Sequence, residues 1–171
     1  MYNYLIDMKR TSLRLLAIDL TAKGFGFALL DRRRGLLDWG FCTVLAADDE
    51  TFSARLHARI DRGQPTVLVV ENFAVTKGRE NALRRRDLIM KIATERQLGM
   101  CHVSRIIVRR ILGVRTGAET ARTLVDRFPE LRSRMPAVRK PWTSEDERMH
   151  IFDALALALV VMSPDEANAA D

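Results

Sequence analysis

Three acidic side chains stand alone in otherwise apolar stretches: Asp19 in LLAIDL, Glu71 in VLVVEN and Asp153 in IFDALALALVV. A buried, unpaired carboxylate is costly in its ionised form and tends to shift its pKa until it neutralises. Two of the three acids end strand-like runs, and the third lies near the start of a helix-like run. Brought together by the fold, they would repel one another and call for a cation. That is the requirement of a metal-dependent active site. Plainer readings exist for two of them. Asp19 can cap the turn that Thr21 and Gly24 suggest, and Glu71 can pair with an arginine of the run Arg84, Arg85, Arg86. Asp153 has no such alternative, because its neighbours from Ile151 to Val161 are otherwise apolar.

The elements that must position these acids follow from the apolar pattern. Leu13 to Leu20 reads as a buried strand, Gly24 to Asp31 as a second, and Leu36 to Val44 as a third after a hairpin tip at Arg32-Arg33-Arg34-Gly35. Thr51 to Ile60 reads as a short helix. Val67 to Val70, ending at Glu71, is a β-branched run suited to a central strand covered on both faces. A longer helix is expected over Asn81 to Leu98, closed by Gly99. Cys101 to about Ile107 reads as a strand, Val108 to Leu112 as one helical turn, and Ala118 to Arg127 as a further helix. Phe128 to Trp142, rich in proline and arginine, reads as a loop. The last helix is expected from near Ser144 to about Met162. Consecutive strands followed by alternating strands and helices predict an α/β fold: a mixed sheet of about five strands, three antiparallel at the start, with helices on both faces. In such sheets ligands gather at strand ends, where Asp19 and Glu71 fall.

A chain of 171 residues is long enough for one domain with a proper core. The expected organisation is one domain over residues 1–162 and a mobile acidic tail over 163–171. No apolar run reaches the roughly 18 residues a membrane span needs, and the N-terminal stretch lacks the pattern of a secretory signal. Cys42 and Cys101 show neither zinc nor disulfide spacing. A cytoplasmic protein with no membrane partner is expected. The net charge of +6, mostly arginine, suits a polyanionic partner, because guanidinium forks match phosphate oxygens. An arginine-rich proteome would produce the same charge.

Four segments, in order, carry a resemblance to a known family. They are AIDLTAKGFGFALLD, VLVVENF, RIIVRRILGVRTGAETARTLV and HIFDALALAL. Together they resemble the RNase H-like nuclease superfamily, and most closely its RuvC-like Holliday-junction resolvase branch. The resemblance implies an RNase H-like sheet and a divalent-metal-dependent endodeoxyribonuclease that cleaves branched DNA in recombination or repair. It further implies a homodimer and Mg²⁺ or Mn²⁺, two ions per site, with Asp19, Glu71 and Asp153 as ligands. Two such ions, roughly 3.5–4 Å apart, would clamp the scissile phosphate, one activating water and the other steadying the departing 3′ oxygen. The product would carry a 5′ phosphate.

His150 falls three residues before Asp153, where family members carry a further acid or a histidine. Residues three apart on a helix share a face, so both can address one site. A histidine in place of a carboxylate favours Mn²⁺ somewhat over Mg²⁺; a helix-surface histidine is the plainer alternative. Of the acids just upstream, Glu145, Asp146 and Glu147, most fit local roles. Ser144 with Glu147 matches a capping box, and acids suit a first helical turn. Asp146 would share a face with His150 and Asp153, and is the reserve ligand.

Basic residues cluster at Arg32 to Arg34, Arg84 to Arg86, Arg105 to Arg115, and Arg132 to Lys140. A solvated helix face usually explains such runs. Their order around the acids favours a phosphate-tracking groove, with Arg84, Arg85, Arg109, Arg110 and Arg115 as nucleic-acid contacts. Resolvases carry a basic residue near the catalytic centre, and Arg109 or Arg110 is its nearest counterpart here. Relatives often carry lysine after the Ala-Glu pair, where this chain has Thr120. Phe73 matches a family aromatic that can stack on an opened base; sealing the core is the alternative. An RNase H-fold nuclease acting on RNA–DNA hybrids or flaps, or a catalytically silent nucleic-acid-binding module, are the competing functions. An actin-like ATPase would need a second lobe that this length does not hold.

Overall fold

The computed structural model describes residues 13–45, 47–72, 80–136 and 146–163. The chain opens with three strands joined by tight turns: β1 (Arg14–Thr21), β2 (Gly24–Asp31) and β3 (Gly35–Thr43). Helix α1 (Asp49–Gly63) leads to β4 (Val67–Glu71), and α2 (Glu80–Glu95) to β5 (Gly99–Val103). Helices α3 (Arg105–Leu112) and α4 (Gly117–Arg127), a short 3-10 helix (Pro129–Arg134) and α5 (Met149–Met162) complete the described elements. The strands form one mixed sheet in the order β3-β2-β1-β4-β5. β1, β2 and β3 pair antiparallel, whereas β4 runs parallel to β1 and β5 parallel to β4. This is the architecture the apolar pattern predicts.

Side-chain alternation along the strands divides the core in two. Leu15 and Ala17 of β1, Ala28 and Leu30 of β2, and Val67 and Val69 of β4 face α4 and α5. The intervening Leu16, Ile18, Phe25, Phe27, Leu68 and Val70 face Phe52, Leu56 and Ile60 of α1 and Ile89 and Ile92 of α2. Because the strand period is two residues, Asp19 and Glu71 continue the first set, so both acids point to the α5 side. α5 is buried almost all round from Ala154 to Val160. Burying a leucine such as Leu155, Leu157 or Leu159 stabilises by roughly 1.5–3 kcal/mol, which is what draws the helix, and its polar His150 and Asp153, onto the sheet.

Several boundaries differ from the sequence-based expectation; α2 ends at Glu95, and Gly99, expected to close it, opens β5. β5 ends at Val103, not near Ile107, because the Ser104 hydroxyl accepts from the Ile106 amide and starts α3 at Arg105. Part of the expected loop after Phe128 forms the 3-10 helix, with Pro129 at its start. The last helix begins at Met149 rather than near Ser144. Before it, Met149, His150 and Ile151 amides donate to the Asp146, Glu147 and Arg148 carbonyls in tight i−3 bonds. Glu147 therefore precedes the helix instead of closing a capping box within its first turn, and Ser144 and Glu145 lie outside the described residues. Phe73 and the tail over 164–171 also lie outside them.

Candidate active site

Register explains how the acids meet. Ile18 of β1 pairs in parallel with Val70 of β4, so Asp19 and Glu71 emerge side by side at the same end of the sheet. On the other flank of β1, Asp19 pairs with Gly26 of β2. A Cβ at Gly26 would lie 2.2 Å from the His150 carbonyl oxygen. Only a glycine there lets the first turn of α5 lie directly on β2, and that approach carries His150 and Asp153 to Asp19.

The result is a compact constellation. Asp19 is fully buried, and one ligand atom from each of Asp19, His150 and Asp153 lies within 4.8 Å of the others. His150 Nδ1 and Asp19 Oδ2 lie 2.6 Å apart, within hydrogen-bond distance. A carboxylate beside the ring of a histidine fixes the orientation of that ring, as is common for metal-binding histidines. Phe41 of β3 flanks the ring, with centroids 5.9 Å apart. Glu71 stands at the edge of this group and is mostly buried, its side chain 15% exposed.

Arg105, the first residue of α3, occupies the middle. Its Nη2 donates to Asp19 Oδ1 at 2.9 Å and lies 3.5 Å from Asp153 Oδ2, while its Nε lies 3.2 Å from Glu71 Oε1. Burial alone would lower its pKa; the charges of Asp19, Asp153 and Glu71 outweigh that and raise it above the ordinary arginine value. Sequence reasoning placed Arg105 in a basic run without singling it out. The missed signal was Ser104, whose capping role makes Arg105 the first helical residue, two positions beyond the Val103 that pairs with Glu71.

A small cavity of about 50 Å³ adjoins these groups, lined by Asp19, Arg105, Arg109, Thr120 and Asp153 among others. Of the two arginines considered near the centre, Arg109 lines this cavity and Arg110 does not. Thr120 is buried, its hydroxyl donating to the Thr116 carbonyl at 3.1 Å. Arg115 is exposed beyond the end of α3.

Other expected participants sit elsewhere. Asp146 is not part of the cluster: it precedes α5, and its carboxylate takes the Arg148 amide and guanidinium Nε at 3.0 Å. The Arg148 hydrogen bonds hold its carboxyl below the ordinary carboxylate pKa. Glu147 faces Lys23 at 3.6 Å. Arg85 is a correction: it is 0% exposed and donates to the Thr21, Val44 and Leu45 carbonyls, with its guanidinium over the Phe52 ring. It clamps the ends of β1 and β3 from within and has no surface to offer DNA. Arg84 is exposed and pairs with Asp49 at 2.7 Å. The hairpin arginines Arg32 to Arg34 are a second correction. β2 runs away from the acids, so its tip lies beside Arg14 and Leu13, roughly 17 Å of strand from Asp19.

The donor set fits a hard divalent cation: carboxylate oxygens from two elements and an imidazole, converging at a largely buried strand end.

No protein-family model and no curated protein matches the sequence. Solved structures do match the fold. T. thermophilus RuvC in complex with a Holliday junction substrate superposes with a TM-score of 0.64 at 17% identity, covering 90% of this chain and 95% of that one. Another Thermus thermophilus RuvC structure gives 0.62 at 17% identity, over 90% and 96% of the two chains. The yeast mitochondrial Holliday junction resolvase gives 0.62 at 11% identity, over 92% and 81%. The chain therefore has the RuvC-type, RNase H-like fold across nearly its whole length.

Proposed function

We propose that this protein is a divalent-metal-dependent endonuclease that cleaves branched DNA, with four-way junctions as its substrate. The observation that carries the proposal is the convergence of Asp19, Glu71, His150 and Asp153 from β1, β4 and α5 at one end of the sheet. Support for the substrate comes from the likeness in fold to a RuvC bound to a Holliday junction and to a yeast mitochondrial resolvase.

Asp19, His150 and Asp153 would hold the cation, with Glu71 beside them. A bound Mg²⁺ or Mn²⁺ would supply the positive charge that makes a phosphodiester susceptible to water. The protein's part is to hold the acids fixed in a largely buried pocket, where electrostatic effects are stronger than in bulk water. His150 is oriented by Asp19, and Phe41 restricts its ring. Arg109, on the cavity wall, would meet a phosphate oxygen, and Arg110 and Arg115 would add further phosphate contacts. A homodimer would let two symmetric strands be cut in one complex.

The test is cleavage of a labelled panel (four-way junction, flap, RNA–DNA hybrid and plain duplex) with Mg²⁺ or Mn²⁺. Cleavage confined to the junction, and lost in Asp19→Asn and Asp153→Asn proteins that still fold, is expected. Cleavage retained in both variants would overturn the assignment; preference for the hybrid or flap would replace the substrate.

Arg105 favours one second reading. A guanidinium already neutralising the acids is also what a catalytically silent DNA-binding module would contain. Such a module would bind junctions without cutting them under any divalent cation.

A further inference from the structure

We infer that Arg105 is an exchangeable counter-cation that occupies the acid cluster in the metal-free protein and competes directly with a divalent ion for Asp19 and Asp153. This rests on the metal-site reading above and adds a step to it: the guanidinium must swing out before the site can be loaded.

The geometry makes the two occupants exclusive. One nitrogen, Arg105 Nη2, lies 2.9 Å from Asp19 Oδ1 and 3.5 Å from Asp153 Oδ2, between the two carboxylates that converge with His150. A hard divalent ion binds carboxylate oxygens at about 2.0–2.6 Å. An ion at that distance from both acids would overlap the nitrogen and repel its charge. The guanidinium also spans all three acids, with Nε on Glu71 at 3.2 Å. A divalent ion brings twice the charge of the guanidinium to the same oxygens, which gives it a driving force to displace the arginine.

The contrast with Arg85 shows that this pairing is not built for permanence. Arg85 is fully enclosed and pinned by three backbone carbonyls. Among the described residues no backbone carbonyl holds the Arg105 guanidinium; its side chain is 37% exposed, and it hangs from the first residue of α3 at the rim of the cavity. A long, flexible side chain at such a rim can turn into solvent without unpacking the core. Arg105 would thereby hold the acids in register while the site is idle, and leave when a metal arrives.

The experiment is calorimetric titration of Mn²⁺, without DNA, into the wild-type protein and into Arg105→Gln, Arg105→Lys and Asp19→Asn variants. Removing the competing cation should tighten Mn²⁺ binding roughly tenfold in Arg105→Gln. Arg105→Lys, charged but unable to span three acids, should fall between, and Asp19→Asn should bind none. Melting in EDTA should show Arg105→Gln less stable than wild type, with a larger rise on adding Mn²⁺. In the wild-type protein, the Arg105 Nε–H resonance should be protected in EDTA and lose protection as Mg²⁺ is added, a readout that requires no variant to fold. Equal or weaker Mn²⁺ binding by Arg105→Gln, still dependent on Asp19, or an unchanged resonance, would overturn the competition alone. Absence of Mn²⁺ binding in every protein would overturn the metal reading itself.

Discussion

Two arginines show how one residue type serves opposite ends at the residue scale. Arg105 meets carboxylates at a half-open rim, whereas Arg85 meets carbonyls in a sealed interior. Arg85→Ala leaves three carbonyls without their donor and a void beside Phe52, and should cost more than about 3 kcal/mol. Arg84→Ala, which removes only an exposed pair with Asp49, should cost less than about 1 kcal/mol. Urea denaturation of both variants checks the contrast; equal losses would contradict it. The acids were legible in the sequence because a carboxylate inside LLAIDL or VLVVEN is costly to bury unless it is capped or paired. Arg85 and Arg105 were not, because a run of arginines does not reveal which member turns inward. That depends on helical phase, and for Arg105 on a boundary set by a single serine cap.

Among the elements, β1, β2 and α5 form the unit that builds the site. α5 owes its position to apolar burial along Ala154 to Val160, but its close approach to the sheet depends on Gly26. Gly26→Ala should force the first turn of α5 away from β2. We expect a stability loss of about 1–3 kcal/mol from overpacking, together with a loss of junction cleavage larger than that destabilisation explains. Melting curves and cleavage rates on the same preparation test this; an active Gly26→Ala protein would show that α5 does not need this contact. The strands were legible from their apolar runs, and even the facing of Asp19 and Glu71 follows from alternation. The start of α5 was not, because the acids at 145–147 imitate a helix first turn, whereas Asp146 is held by Arg148 in a turn ahead of it.

Over the whole molecule, the length of β1 and β2 separates two basic regions that flank the acids in the sequence. Arg109 lines the cavity beside the acids, while Arg32 to Arg34 cap the far end of the β2–β3 hairpin. A phosphate contact contributes to the salt dependence of binding, so removing one should lower the slope of log affinity against log salt by about one. Arg109→Gln should do so for junction binding, and Arg33→Gln should leave the slope unchanged. The reverse pattern would move the DNA path to the hairpin end. The most direct test of a metal-dependent nuclease is the rate at which a labelled four-way junction is cut in Mn²⁺ by wild-type and Asp153→Asn proteins with matching melting curves. Symmetric nicks bearing 5′ phosphates are predicted for the wild type, abolished by EDTA and slowed more than about a hundredfold in the variant, beyond the loss typical of an outer-sphere residue. Cleavage by Asp153→Asn at the wild-type rate would contradict it.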